Sequence, residues 1–289
     1  MKVLVTGGSG YLGRHIVKYF NADDLSRRSN LDLLDTQDAH LASSYDVVIH
    51  LAAFLDKSPD AADEVFLTNV QGTINLLQAM KPGSTIIFAS TRDVYGRFAD
   101  KYQEVPEECP TLYAGQSALE WSKLIAERYV EFYAAKRQLR SCIFRMSTVY
   151  APPSIGNTPS FPGAFAEKID QGKPLMLPGG GTPIRDLLHV DDLAAACRAF
   201  IDSVIKHGLY NIGGGRDNSL SIKELIAALE TASGLQAIIK DVENAPTPTP
   251  KNYVTDLTLI KQELDWKPRI DIETGLATLF NRRLPETEN

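Results

Sequence analysis

The stretch Val3-Leu-Val-Thr-Gly-Gly-Ser-Gly-Tyr-Leu-Gly13 restricts the fold of this chain more than any other. Val3, Leu4 and Val5 read as a short buried strand. Glycines follow at Gly7, Gly10 and Gly13. Leu12, Ile16, Val17 and Phe20 then recur at helical spacing, so a helix begins inside the glycine run. Gly7 permits a tight turn, Gly10 lets the backbone approach a phosphate, and Gly13 lets the helix pack on the strand. The free N–H groups and the dipole at the helix start favour negative charge. A glycine triplet alone says little. Placed directly after a strand and before a helix, it has the context of a dinucleotide pyrophosphate site.

Residues 1–150 continue the alternation. Tyr45–Leu51, Ser84–Ser90 and Ser141–Ser147 read as strands; Asn69–Met80 and Ala118–Ala135 read as helices. Such alternation predicts an α/β fold, a Rossmann-type doubly wound parallel sheet. The second strand is short and polar, with Asp24-Leu25-Ser26 the best fit. Arg27 and Arg28 follow it. Two guanidiniums there suit a 2′-phosphate and tilt the cofactor towards NADP over NAD, while Asp23 or Asp24 remains able to reach a ribose.

From residue 151 the pattern breaks into a Pro- and Gly-rich loop to Gly163, long enough to be functional. Residues 151–289 read as a smaller C-terminal substrate lobe, some segments rejoining the main sheet. Ser221 and Glu224 form a capping box for a helix ending at Gly234. Asp256 caps another helix, and Ile272–Leu284 is the last. Glu243–Lys251, with three prolines, is an extended loop. The formal charge of −6 over 289 residues argues against a nucleic-acid partner. No apolar run reaches membrane-spanning length. Cys109, Cys142 and Cys197 lack metal spacing and read as free thiols of a cytoplasmic protein. His189-Val-Asp-Asp192 looks like a metal cluster, but Asp191 as helix N-cap explains it, and no metal is expected.

The motifs now assembled resemble the extended short-chain dehydrogenase/reductase family: the NAD-dependent epimerases and dehydratases, nucleotide-sugar branch. Thr6–Gly13 matches the family's opening, and Asp32-Leu33 the pair that holds adenine. His50-Leu-Ala-Ala53 matches the run beneath the cofactor, and Asn69-Val-x-Gly72-Thr-x-Asn75 the helix beside it. Ala89–Gly96 matches the active-site strand end, and Ser122-Lys123 with Glu127 the helix of the catalytic lysine. Phe144–Tyr150, Ile184–Asp192, Tyr210–Gly215 and Glu263–Pro268 match later blocks. The resemblance implies that Gly7, Gly10, Tyr11, Leu12, Gly13, Asp32 and Leu33 bind cofactor. It adds Leu51, Ala52, Ala53, Asn69, Ala89, Lys123 and Met146 to that surface. It places Arg92, Thr148, Arg185 and Lys251 against a nucleotide-linked sugar.

Two departures stand out. Aligning on Ser122-Lys123 puts Leu119 where the family's Tyr-x-x-x-Lys has its tyrosine. The block that usually grips the diphosphate is replaced by Thr247–Asn252, with Lys251 its one cation. Arg185 is kept, and a guanidinium pairs phosphate in bidentate fashion. Catalytic candidates are therefore Thr91, near the reacting sugar oxygen, Lys123, Asp93 as a substitute proton carrier, and Tyr113 in the loop before the helix. Loss of general acid–base catalysis costs about 10²–10⁴ in rate. Two outcomes stay open: an enzyme that oxidises a sugar carbon to a transient ketone, with the hydride held on NAD(P), or an inactive relative that only binds cofactor and sugar nucleotide. The family resemblance also implies a homodimer through two helices, presenting Val70, Leu77, Leu124, Ile125, Tyr129 and Phe132.

Overall fold

The computed structural model describes residues 1–154, 156–242 and 250–280. The first half runs β1 (Val3–Thr6), α1 (Gly13–Phe20), β2 (Asp23–Leu25), α2 (Thr36–His40), β3 (Val47–His50), α3 (Ala62–Phe66), α4 (Gly72–Ala79), β4 (Thr85–Thr91), α5 (Ala118–Arg137) and β5 (Arg140–Met146). The second half adds β6 (Thr148–Tyr150), α6 (Phe161–Asp170), β7 (Leu175–Pro178), β8 (Ile184–His189), α7 (Val190–Asp202), β9 (His207–Ile212), β10 (Ser219–Ser221), α8 (Ile222–Ser233), β11 (Ile239–Val242), α9 (Thr258–Leu264) and α10 (Ile272–Ala277).

The main sheet has the order β2-β1-β3-β4-β5-β9, with every neighbouring pair parallel. Its strands are buried on both faces, so successive residues alternate between two cores. Val3, Val5, Val47, Ile49 and Ile87 face Ile16, Leu193 and Phe200 of α1 and α7. Leu4, Val48, Ile86 and Phe88 face Leu76, Leu77, Ala126 and Val130 of α4 and α5. β9 comes from the second half of the chain yet closes one edge of this sheet. The remaining strands form two small sheets, β10-β8-β6 and β11-β7. A third core, with Tyr150, Leu177, Leu187, Leu225 and Leu276, lies among α6, α8 and α10. No described helix is long and apolar enough to cross a membrane.

Several local expectations shift. The helix expected from Asn69 begins at Ala62 and passes through a π-helical turn, Leu67–Gln71, before α4. The polar run before it hid its start. The N-cap of α7 is His189 rather than Asp191: its Nδ1 accepts the Asp191 backbone N–H at 3.2 Å. Asp256 accepts the Thr258 N–H at 2.8 Å, although Leu257 occupies the cap position of α9. Leu77 is fully buried and offers no surface for pairing, whereas Phe132 and Leu67 are exposed. The Ser221–Glu224 capping box and the left-handed Gly234 bound α8 as read. Most of the expected loop Glu243–Lys251, and the end of the expected last helix beyond Phe280, lie outside the described residues.

Candidate active site

The glycine loop is built almost wholly from backbone. Gly7 has φ +71°, and a Cβ there would lie 2.8 Å from the Ala52 nitrogen. A Cβ on Gly13 would lie 2.0 Å from the Gly7 carbonyl oxygen, so only glycine lets α1 start this close to β1. Gly10 N–H donates to that same carbonyl at 2.9 Å. The cradle therefore fits a dinucleotide pyrophosphate by the room its missing side chains leave. Tyr11 ties this loop to the Pro-rich segment: its hydroxyl donates to Ala151 O at 2.7 Å and accepts Ala151 N–H at 2.8 Å. Leu12 packs against the same core as α1.

At the end of β2, Asp24 accepts hydroxyl hydrogen bonds from Ser26 and Ser29 at 2.7 and 2.6 Å. Its other oxygen is buried and unpartnered beside Gly8. Arg27 pairs with Asp32 at 3.0 Å, and Arg28 donates to Asn157 Oδ1 and Gly156 O, both at 2.7 Å. Both guanidiniums are exposed but already have partners. Asp32 also accepts Leu34 N–H, and the Leu33 carbonyl is held by Asn75.

Beyond β3, Leu51, Ala52 and Ala53 run half-buried along the strand end. Asn69, in the π-helical turn, clamps this run to α5. Its amide accepts Phe54 N–H at 2.7 Å and donates to Phe54 O and to Ser122 Oγ at 3.0 and 2.9 Å. Such turns often mark functional sites. His50 bonds Thr6 Oγ1 and Thr73 Oγ1 at 2.6 and 2.8 Å. Thr73 gives its own proton to Asn69 O, so it must accept from His50 Nε2. Burial, then the nearby Lys123 charge, push His50 down to about 3. It is a neutral structural group.

Lys123 is 5 % exposed; its Nζ donates to Ala89 O at 2.8 Å and lies 5.0 Å from the Phe88 ring centroid. Burial pushes its pKa down to about 8, against the pull of Glu127. Leu119, one turn earlier in α5, is buried, and its carbonyl accepts from Ser122 Oγ. Behind them runs a buried network. Ser90 donates to Glu127, which forms a bidentate pair with Arg145 at 3.0 and 2.7 Å; Arg145 reaches Tyr95, which donates to Asn211.

At the end of β4, Thr91 caps the following 3₁₀ turn by accepting Asp93 N–H at 3.2 Å. Asp93 accepts from Lys57 at 3.0 Å, and Lys57 also reaches Glu120 at 2.6 Å. Burial alone would raise the Asp93 pKa; the charges of Arg92, Lys57 and Arg185 outweigh it and hold the carboxyl below its ordinary range. Arg92 stacks 4.7 Å above the Tyr253 ring and is 3.4 Å from Asp93. Arg185 donates to the carbonyls of Ile184, Lys251 and Pro250, and among the described residues its Nε–H and one Nη2 hydrogen have no partner. Burial and neighbouring Arg92 push it down to about 10.

The remaining candidates are peripheral. Tyr113 is 71 % exposed and stacks on Trp121. Met146 and Thr148 are half-buried at the junction of β5 and β6. The Lys251 side chain is exposed, and its N–H donates to Asp100 at 2.7 Å. Thr247 to Thr249 of the same block lie outside the described residues. Sequence reasoning missed Lys57 and Glu120. Each is an ordinary charged residue in its own segment, and only the tertiary fold joins them to Asp93.

The model of the family described as "NAD dependent epimerase/dehydratase family" matches residues 3–213. The chain is 28% identical to CDP-paratose 2-epimerase of Salmonella typhi, covering 97% of this chain and 98% of that protein. It is 27% identical to UDP-N-acetyl-alpha-D-glucosaminuronate decarboxylase of Bacillus cytotoxicus, covering 95% of each. Among solved structures it resembles MoeE5 in complex with UDP-glucose and NAD, with a TM-score of 0.83 and 25% identity, covering 96% of this chain and 97% of that one.

Proposed function

This chain belongs to the NAD dependent epimerase/dehydratase family, and on that premise we propose that it is an NAD(P)-dependent enzyme acting on a nucleotide-linked sugar. Its reaction passes through a transient ketone at one sugar carbon. The observation that carries this reading is Lys123, buried on α5, bonded to the Ala89 carbonyl and two residues along β4 from Thr91. A buried ammonium is kept at a cost, and a cofactor hydroxyl beside it is a good reason for it. The glycine cradle, Tyr11, Leu12, Asp32, Leu33, Leu51, Ala52, Ala53, Asn69 and Met146 complete the proposed cofactor surface. Arg185, Lys251, Thr148 and Arg92 face the sugar nucleotide. Residues 1–150 serve as the cofactor domain and 151–289 as the substrate lobe.

When bound, the nicotinamide supplies a reversible hydride acceptor. The protein's part is to hold the sugar and manage the hydroxyl proton. Thr91 orients the hydroxyl. With leucine at 119, Asp93 accepts the proton as the carbon–oxygen double bond forms and returns it on reduction. Arg92 and Lys57 hold it ionised, which keeps it in the accepting form at the expense of its basicity. Tyr113 is the next residue to test. NADP(H) is bound at least as tightly as NAD(H), by Arg27 and Arg28. The enzyme works as a homodimer through exposed Phe132, Tyr129 and Leu67, a state that sedimentation at micromolar concentration tests. The binding-only alternative gains no support from relatives, most of which are named as epimerases, dehydratases or a decarboxylase.

The deciding experiment incubates the protein with a panel of nucleotide sugars and NAD⁺ or NADP⁺, with products read by mass spectrometry and NMR. Altered sugar with no net cofactor consumption is the expected result. Unchanged sugars across the panel would reject the enzyme reading.

A further inference from the structure

Resting on the nucleotide-sugar reading, we infer that the sugar accepted here carries a carboxylate, and that Arg92 is its anchor. Arg92 is 9 % exposed, yet its guanidinium donates no hydrogen bond to any described residue. Nη1 is buried without a partner. Among the described residues it stacks on the Tyr253 ring face, lies through Nε 3.4 Å from one oxygen of Asp93, and has the Arg185 charge nearby. The other Asp93 oxygen is taken by Lys57. The Tyr253 hydroxyl, also buried, has no hydrogen-bond partner among the described residues either.

A buried guanidinium without hydrogen bonds is costly, and the cost is removed when an acceptor arrives. Arg92 follows Thr91, on the sugar side of the site. Tyr253 belongs to the segment that pairs with Arg185. A neutral hydroxyl would satisfy one N–H and leave the others bare. A carboxylate fits the planar fork with two parallel bonds. The nucleotide diphosphate has Arg185 for its own partner. The substrate class is therefore a nucleoside-diphosphate-linked sugar acid.

Calorimetry on the full chain with cofactor present tests this. The ligands are UDP, UDP-glucose and UDP-glucuronate, with glucose 1-phosphate and glucuronate 1-phosphate as a pair that does not depend on the base. The wild type should bind the acid of each pair roughly tenfold or more tighter than its neutral sugar, as for hydrogen bonds to a charged group. Arg92→Gln should erase that preference and leave UDP affinity unchanged. Arg92→Lys, which keeps the charge, should retain part of it and shows that the site still folds. Equal affinity for acid and neutral sugar in the wild type overturns the inference. So does an Arg92→Gln that weakens UDP as much as UDP-glucuronate, since the guanidinium would then serve the diphosphate. Failure of every ligand to bind while cofactor still binds rejects the nucleotide-sugar reading and the inference with it.

Discussion

The glycine loop and the turn after β4 differ in how completely their polar groups are matched. Around the loop, Gly7 and Gly10 donate to backbone carbonyls, Tyr11 both donates and accepts, and Arg28 is tied to the Pro-rich segment. The exceptions are one Asp24 oxygen and, in the helix that follows, His15 Nε2, both buried without a hydrogen-bond partner among the described residues. Around the turn and the segment facing it, Arg92, Asp93, Tyr253 and Thr255 each have a buried polar atom without a hydrogen-bond partner among the described residues. On the proposed function, the cofactor surface is largely matched within the protein, while the sugar surface holds charges in reserve, and these are the groups on which turnover should depend.

The largest expected effect lies at the unfinished surface. Asp93→Asn keeps the shape and removes the proton acceptor, so turnover should fall by about 10²–10⁴ with cofactor and sugar binding preserved. Leu119→Tyr should then add little and lower stability by about 1–3 kcal/mol, because Leu119 is 7 % exposed and a larger ring must overpack. Product formation and thermal unfolding measure the two effects. Full activity in Asp93→Asn would break the contrast and make Tyr113 the next candidate.

Arg185→Ala comes next. Removing the proposed diphosphate ligand should cost about 1.5–3 kcal/mol of sugar-nucleotide affinity, the worth of hydrogen bonds to a charged group. The same guanidinium holds the Pro250 and Lys251 carbonyls, so the variant should also loosen that segment. A titration with unchanged affinity would remove Arg185 from the site.

The contrast also explains what could be read in advance. Backbone cradles demand glycine at set places, so Gly7, Gly10 and Gly13 announced theirs, as the apolar runs of β3 and β4 announced a two-sided sheet. Asp93 and Arg92 drew attention as charges at a strand end. Lys57 and Glu120 did not, since one stands in a polar loop and the other is half of an ordinary capping box. The unpaired guanidinium of Arg92 depends on where residue 253 folds back, which periodicity does not encode. The cap of α7 was misplaced for a related reason: in His189-Val-Asp-Asp192 several side chains can cap, and the turn geometry chooses.

At the finished surface, the double variant Arg27→Ala/Arg28→Ala should weaken NADP(H) by about tenfold or more, about 1.4 kcal/mol, with a smaller change for NAD(H). Calorimetry with both cofactors checks it. Equal losses would end the 2′-phosphate idea and shift the ribose contact to Asp24, whose free oxygen lies beneath Gly8.

The last effect is a pH slope confined to alkaline conditions, and it tests whether Lys123 is as buried as the cofactor site requires. Its ordinary pKa is 10.5, and burial brings the folded value to about 8. Between these values the unfolded chain binds the proton that the folded chain has released. Stability of the cofactor-free protein should therefore rise with pH across that window, by at most about 1.4 kcal/mol per unit from this one group. Below about 8 both states are protonated and the slope vanishes. Lys123→Met has no such proton, so its stability curve should lack the rise, while contributions from thiols and the chain terminus cancel between the two proteins. Urea unfolding at pH 7, 8 and 9.5 (roughly the span of the window) measures the difference. Buried tyrosines such as Tyr95, whose pKa is raised, would lower stability only at still higher pH. Parallel slopes for wild type and Lys123→Met would mean that the ammonium is solvated in the free protein, and the cofactor side would then be as unfinished as the substrate side.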